Sequence, residues 1–246
     1  MYLTIQAIVL RVTDYNDRDA LLTVLTRNHG KLTIKARGLR RKNSPLIAPC
    51  QLLAFGEFTL FEYRGMYTVN EAHSIELFQH LRRDLTKLSL GTYFAQVAEV
   101  ISQEDLPNPE LQSLVLNCLY ALANDLCDPV AVKAAFELRY MAQRGYEPDL
   151  YSCSGCGEVL ESGRAIPERG EVYCKNCAAP FGIDLSANAL SAARHILTCE
   201  LKKLLSVSVS PDEARALSDF SGRYLRSCLE RGFKTLDFYN SLGDIR

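Results

Sequence analysis

Four of the nine cysteines stand as two close pairs, Cys153-Ser-Gly-Cys156 and Cys174-Lys-Asn-Cys177. No other feature constrains the fold as tightly. A two-residue spacer lets both sulfurs of a pair reach one point through a tight turn, and Gly155 and Gly157 relieve the backbone there. Two such pairs offer four thiolates to one ion. That is the tetrahedral donor set of a structural zinc site, with sulfur at about 2.3 Å from the metal. A redox reading of the same motif requires a C-x-x-C opening a helix in a βαβ unit, and none is visible. Nor is a catalytic zinc expected, because four cysteines leave no position for water. Between the pairs, Arg164-Ala-Ile-Pro-Glu-Arg-Gly-Glu reads as a hairpin loop. That segment is too poor in apolar residues to fold unaided, so metal must supply the missing stability. The remaining cysteines (Cys50, Cys118, Cys127, Cys199 and Cys228) are scattered, and Cys118, Cys127 and Cys199 read as core or near-core thiols. An odd count argues against a disulfide framework.

The period of the hydrophobic pattern changes along the chain. Thr4–Val12, Ala20–Thr26, Lys31–Arg37, Leu52–Tyr63 and Tyr67–Leu77 read as strands, with turns at Asp14–Asp17, Asn28-His29-Gly30 and Arg64-Gly65. Five strands in this space predict a small barrel. From Gln79 to Arg144 the period becomes helical, with stripes through Leu85–Ile101, Leu111–Leu122 and Val132–Gln143. Asp128 with Pro129, then Ser186, then Ser210 with Pro211 and Glu213, signal helix starts. The expected division is a barrel over 1–79 and a helical domain over 80–246, the latter carrying the cysteine-rich 151–179 as an insertion: an α+β multidomain chain.

Net charge is -1, but charge is unevenly spread. Arg27 to Lys42 holds seven Lys/Arg and no Asp or Glu, whereas Asp84–Asp149 leans acidic. Lys31, Lys35 and Arg37 share a strand face, and Arg40, Arg41 and Lys42 continue the charge into a loop. On a five-stranded barrel such a run suits phosphates. Tyr63, Arg64 and Tyr67 at a hairpin tip either stack on bases or pack within the hairpin. No phosphate-binding GxxxxGK[ST] or GxGxxG is present, and the four histidines fall in no catalytic pattern. Asp14, Asp17 and Asp19 are the one loose carboxylate group a nuclease would need; a polar turn is the plainer reading. Apolar runs fall short of the roughly 20 residues of a membrane helix. Met1-Tyr2-Leu3-Thr4-Ile5-Gln6 lacks a signal peptide's basic start, so a cytoplasmic location is expected.

These pieces resemble the bacterial recombination mediators of the RecO family. The resemblance lies in Ala7–Ser44 (AIVLRVTDYNDRDALLTVLTRNHGKLTIKARGLRRKNS), in Ser74-Ile-Glu-Leu-Phe at the barrel's end, in Phe136–Pro148 (FELRYMAQRGYEP), and in the cysteine pairs. It implies an OB-fold barrel, a helical domain and, as in many members, one structural zinc on Cys153, Cys156, Cys174 and Cys177. It implies no catalysis. Expected activities are binding of single- and double-stranded DNA and annealing of complementary strands. With RecR, the family helps load RecA onto DNA coated by single-strand-binding protein, whose acidic C-terminal tail it also contacts. By charge alone, Arg139, Lys202, Lys203 and Arg223 are candidates for the tail site. The rival reading is a zinc-ribbon adaptor that binds an acidic protein and no DNA.

Overall fold

The computed structural model describes residues 1–243. The chain packs as two compact units. One joins Met1–Ala123 with the segment from Phe233 onward, and the other is Asn124–Gly232.

In the first unit, β1 (Tyr2–Asp14), β2 (Ala20–Thr26), β3 (Lys31–Ala36), β4 (Phe55–Tyr63) and β5 (Met66–Glu76) form a closed barrel in the order β1-β2-β3-β5-β4. Neighbours run antiparallel except β3 and β5, which are parallel. This is the five-stranded order of an OB-fold, and closure removes the open sheet edges that invite aggregation. Alternation puts Ile5, Ala7 and Val9 of β1, Leu22 and Val24 of β2, Leu32 and Ile34 of β3, and Phe58 and Leu60 of β4 inside. The expected strand from Leu52 begins instead at Phe55, because Leu53 takes a left-handed φ of 65° and the chain turns there.

Two strands are apolar on both faces. Ile8 and Leu25 point away from the barrel core yet are fully buried. Helices α1 (Leu85–Ile101) and α2 (Pro109–Ala123) cover that outer face. Gln112 of α2 donates from Nε2 to the carbonyls of Gln6 at 3.2 Å and Leu25 at 3.0 Å, so the seam is hydrogen-bonded as well as apolar. The last helix returns to α1: Phe233 meets Tyr93 edge-on with centroids 5.6 Å apart, and Thr235 Oγ1 donates to Gln96 Oε1 at 2.6 Å. β5 thus gives way to helix near Gln79–Arg82, while the packing groups α1, α2 and the C-terminal helix with the barrel.

The second unit is built on α3 (Pro129–Gln143), α4 (Ala187–Thr198) and α5 (Pro211–Leu229), with a three-stranded sheet of β6 (Gly163–Ile166), β7 (Glu171–Tyr173) and β8 (Ile183–Leu185). The sequence reading missed β8, which pairs with β6, and also α6 (Lys234–Gly243). All three expected helix starts are capped. The side chains of Asp128, Ser186 and Ser210 accept from Val130, Ala189 and Glu213 N–H, and Ser210 with Glu213 completes a capping box. Among the described residues no helix is long and apolar enough to cross a membrane.

Candidate metal centre and nucleic-acid face

The cysteine pairs sit on two facing turns. β6 and β7 form the hairpin expected between them, joined through a short 3-10 turn at Pro167–Arg169. The Ser154 N–H donates to the Val172 carbonyl at 2.9 Å and ties the first turn to β7. Gly155 lies so close to Cys177 that a Cβ would stand 2.9 Å from the cysteine Cβ, which is why the first turn needs glycine there.

The ligand atoms of Cys153, Cys156, Cys174 and Cys177 all lie within 4.8 Å of one another, and Cys156 and Cys174 Sγ are 3.8 Å apart. A tetrahedron with arms of about 2.3 Å has edges of about 3.8 Å, so the spacing matches a sulfur cage around one zinc ion. Backbone N–H groups of Cys174 and Gly155 donate to Cys153 Sγ at 3.3 and 3.4 Å. These bonds, that from Cys174 above all, bring the Cys153 thiol down to about 6, toward the thiolate a metal requires. No other group of three or more His, Cys, Asp or Glu side chains among the described residues is close enough to share an ion. The Asp14–Asp19 turn has other work: the Asp19 carboxylate accepts from Gly38 N–H at 2.8 Å and pairs with Lys35 at 3.3 Å.

The module is held on α5. Arg223 donates from Nε and Nη2 to Glu168 Oε1 at 2.9 and 2.6 Å, and Ser227 Oγ donates to the Glu168 carbonyl at 2.8 Å. Gly170 lies flat against Tyr224, where an added Cβ would come within 2.5 Å of the ring. Arg223 is therefore engaged at the 3-10 turn, and it also lies 3.5 Å from Asp219. Arg139 is engaged too, its Nη1 donating to the carbonyls of Ile196 and Leu197 at the end of α4. Lys202 and Lys203 stand exposed on a 3-10 turn. Next to them in sequence, Leu205, Val207 and Val209 line a groove of about 300 Å³ with Ala131, Ala135 and Ile196.

The basic run divides in three dimensions. Acids absent from its sequence reach it from elsewhere. Lys31 donates from Nζ to the Glu99 carbonyl at 3.1 Å, Lys35 pairs with Asp19 and lies 4.2 Å over the Tyr15 ring, and Arg40 pairs with Asp14. Arg37, Arg41 and Lys42 are exposed and make no ion pair among the described residues. The hairpin tip divides as well. Tyr63 is exposed with the Arg64 guanidinium 5.2 Å over its ring, whereas Tyr67 packs against the barrel core. Register accounts for this, since Tyr63 pairs with Met66 and Glu62 with Tyr67, so the two tyrosines point to opposite faces.

Known families match both parts of this architecture. The model of the Recombination protein O N terminal matches residues 1–78, and that of the Recombination protein O C terminal matches residues 82–237. The DNA repair protein RecO of Acetivibrio thermocellus is 32% identical over 248 residues, covering 100% of this chain and 99% of the relative. The chain belongs to the RecO family. RecO of Bacillus pumilus is 31% identical over 240 residues (92% of each chain), and that of Alkaliphilus metalliredigens 29% over 241 (96% of this chain, 98% of the relative). The family is one of DNA repair and recombination proteins, and the closed barrel, the helices and the cysteine cage are what RecO membership led one to expect.

Proposed function

We propose that this RecO protein binds single- and double-stranded DNA, anneals complementary strands and, with RecR, helps place RecA on DNA coated by single-strand-binding protein. The observation that carries the reading is the pairing of whole-chain family membership with a closed OB-fold barrel whose loop offers unpaired cations at Arg37, Arg41 and Lys42. Phosphate attraction needs such cations and no catalytic group. The process is physical: strands are held by their phosphates, bases stay open for pairing, and no covalent step is assigned to any residue. Lys31, Lys35 and Arg40, anchored by neighbours, shape the positive face; the exposed Tyr63–Arg64 tip and the half-buried Tyr67 lie at the barrel's end.

Cys153, Cys156, Cys174 and Cys177 would hold one zinc ion, which would cross-link the two turns at the base of the β6–β7 hairpin. The metal's chemistry here is cross-linking, since the cage has no vacant position. Lys202 and Lys203, exposed on the 3-10 turn that leads into the groove segment Leu205–Val209, suit the acidic tail of single-strand-binding protein, with its carboxylates on the lysines. Arg139, tied to the carbonyls of Ile196 and Leu197, holds the end of α4 beside that groove, whereas Arg223 is spent on Glu168 of the zinc module. The protein works in the cytoplasm, at the nucleoid.

Annealing tests the reading. Complementary oligonucleotides, one bearing a fluorophore and the other a quencher, are expected to pair faster with the protein present. An unchanged rate together with undetectable oligonucleotide binding would leave the adaptor reading in its place.

A further inference from the structure

We infer that the outer face of β1, β4 and β5 is the interface of a two-fold dimer of this chain, with Phe61 of each copy on Tyr63 of the other and Arg64 of each beside the other's Glu71. The interface stands on the barrel's own geometry; its use in annealing rests on the DNA-binding reading above.

Alternation makes this face, since successive residues of each strand point into the core and out of it. The outward residues form rows across three strands. Tyr2 pairs with Phe61 and Phe61 with Thr68, Thr4 with Thr59 and Thr59 with Glu71, Gln6 with Glu57 and Glu57 with His73, and Tyr63 pairs with Met66. The Tyr2 and Phe61 rings have centroids 5.4 Å apart, and the Oγ1 atoms of Thr4 and Thr59 are 3.5 Å apart. The Arg64 guanidinium lies 5.2 Å over the Tyr63 ring and so belongs to the same face. Helices cover the outside of the barrel at Ile8 and Leu25, whereas this side is bare.

One end of the face is apolar where a solvated sheet would be polar. Met1, Tyr2, Phe61, Tyr63 and Met66 are between 41% and 84% exposed. At roughly 200 Å² for a whole side chain, they leave about 600 Å² of adjoining surface. That is the upper end for the largest apolar patch of a monomer, and such patches mark contacts. Two of these faces bury about 1,200 Å² together, the lower bound of a specific interface. Pairing edge to edge is closed off, because the barrel has no open edge.

Charge selects a second copy as the occupant. The face is cationic at one end, at Arg64, and acidic at the other, at Glu71 and Glu57. His73 Nε2, 3.1 Å from Glu71 Oε1, holds that carboxylate on the face. A two-fold axis lying across the strands between Phe61 and Tyr63 turns one face end for end on the other, as in the self-complementary contacts of most dimers. At about 3.4 Å per residue, Arg64 stands about 7 Å beyond that axis and the Thr59–Glu71 row about 10 Å before it. Each guanidinium thus comes within a side chain's reach of the other copy's Glu71, and the same operation lays Phe61 on Tyr63. DNA strands lying across the axis on the two barrels then run in opposite senses, as complementary strands must in order to pair.

The test is sedimentation velocity of the full chain over a concentration series, without DNA. Wild type should pass from monomer to dimer as concentration rises. Tyr2→Thr/Phe61→Thr keeps strand-favouring residues at both positions, and it should weaken association roughly tenfold or more. Arg64→Glu and Glu71→Arg should each sediment as monomers alone, because each brings like charges together. An equimolar mixture of the two should recover the dimer, a result that only folded chains give. Wild type monomeric at every concentration, or a mixture no more dimeric than its parts, would overturn the interface. So would a Tyr2→Thr/Phe61→Thr chain that dimerises as wild type does. In anisotropy with oligo-dT this double variant should bind as wild type does, while annealing more slowly. Lost strand binding with an unchanged dimer would make the patch a platform for bases instead. A wild type that dimerises yet binds no strand would keep the interface and remove the DNA reading.

Discussion

Lys133 and Glu137, one turn apart on α3, are both buried, and their side chains are 5% and 0% exposed. Lys133 Nζ donates to Glu137 Oε2 at 2.9 Å, and to the Ser218 carbonyl and Oγ at 2.9 and 3.1 Å. Ser221 Oγ donates to the same Glu137 oxygen at 2.6 Å. Gly222 makes the room, since a Cβ there would stand 2.8 Å from Nζ. The pair thus fixes α3 against α5, the helix that carries the zinc module. Lys133→Met leaves a buried carboxylate without its countercharge, which costs about 3–5 kcal/mol. That is a large share of the 5–15 kcal/mol typical of a domain. Lys133→Met/Glu137→Leu removes both charges, and the principal loss is then the serine hydrogen bonds, about 1 kcal/mol each. The double variant should therefore be more stable than the single, by up to about 2 kcal/mol. Urea unfolding followed by circular dichroism reads this, with exchange of α3 and α5 amides as the local check. A single variant within about 1 kcal/mol of wild type, or a double costing the sum of both singles, would refute the assignment of a coupled buried pair.

Glu213 accepts from Ser186 Oγ at 2.6 Å, Asn188 Nδ2 at 2.9 Å and Ser210 N–H at 2.8 Å, and so joins the N-termini of α4 and α5. The Ser186 bond above all lowers its carboxyl to about 2, from 4.5. A depressed folded value means stability that is present above pH 4.5 and lost as pH falls through about 2. Glu213→Gln should melt lower than wild type at neutral pH, with the gap closing between pH 4.5 and 2; a constant gap would contradict this. Cys174→Ser should lose zinc by mass spectrometry and expose residues 151–179 to protease, while the barrel strands keep their amide protection. Gly30→Ala should be strongly destabilising, because φ there is 63° and the added Cβ would meet the Leu106 carbonyl oxygen at 2.3 Å; a melting temperature equal to wild type would contradict it.

Much of this was legible in the sequence, for physical reasons that also mark where legibility ended. Period-two alternation located the barrel strands, because each buries one face against a common core. The cysteine spacing located the metal cage, and Asp128, Ser186 and Ser210 announced their helices through bonds made within a few residues. Partners distant in sequence were hidden. A Lys and Glu four apart normally lie on a solvated helix face, so nothing local marked Lys133 and Glu137 as buried beneath Ser218 and Ser221. The acids that hold Lys35 and Arg40 come from the preceding turn, and Lys31 reaches a carbonyl on α1. Charge alone could not separate Arg139 and Arg223, which bind the protein itself, from Lys202 and Lys203, which face solvent. The signal for the outer helical cover was present in β1: Ala7, Ile8, Val9 and Leu10 are apolar without alternation, as a strand buried on both faces must be.

The central claim is that this RecO protein handles strands on coated DNA. The direct measurement is the annealing of two complementary oligonucleotides, each covered by single-strand-binding protein, with the tail of that protein intact or deleted. Acceleration by this chain on the intact coat, and its loss on the tail-deleted coat, is the expected result. No acceleration on either coat, or equal acceleration on both, would contradict the account.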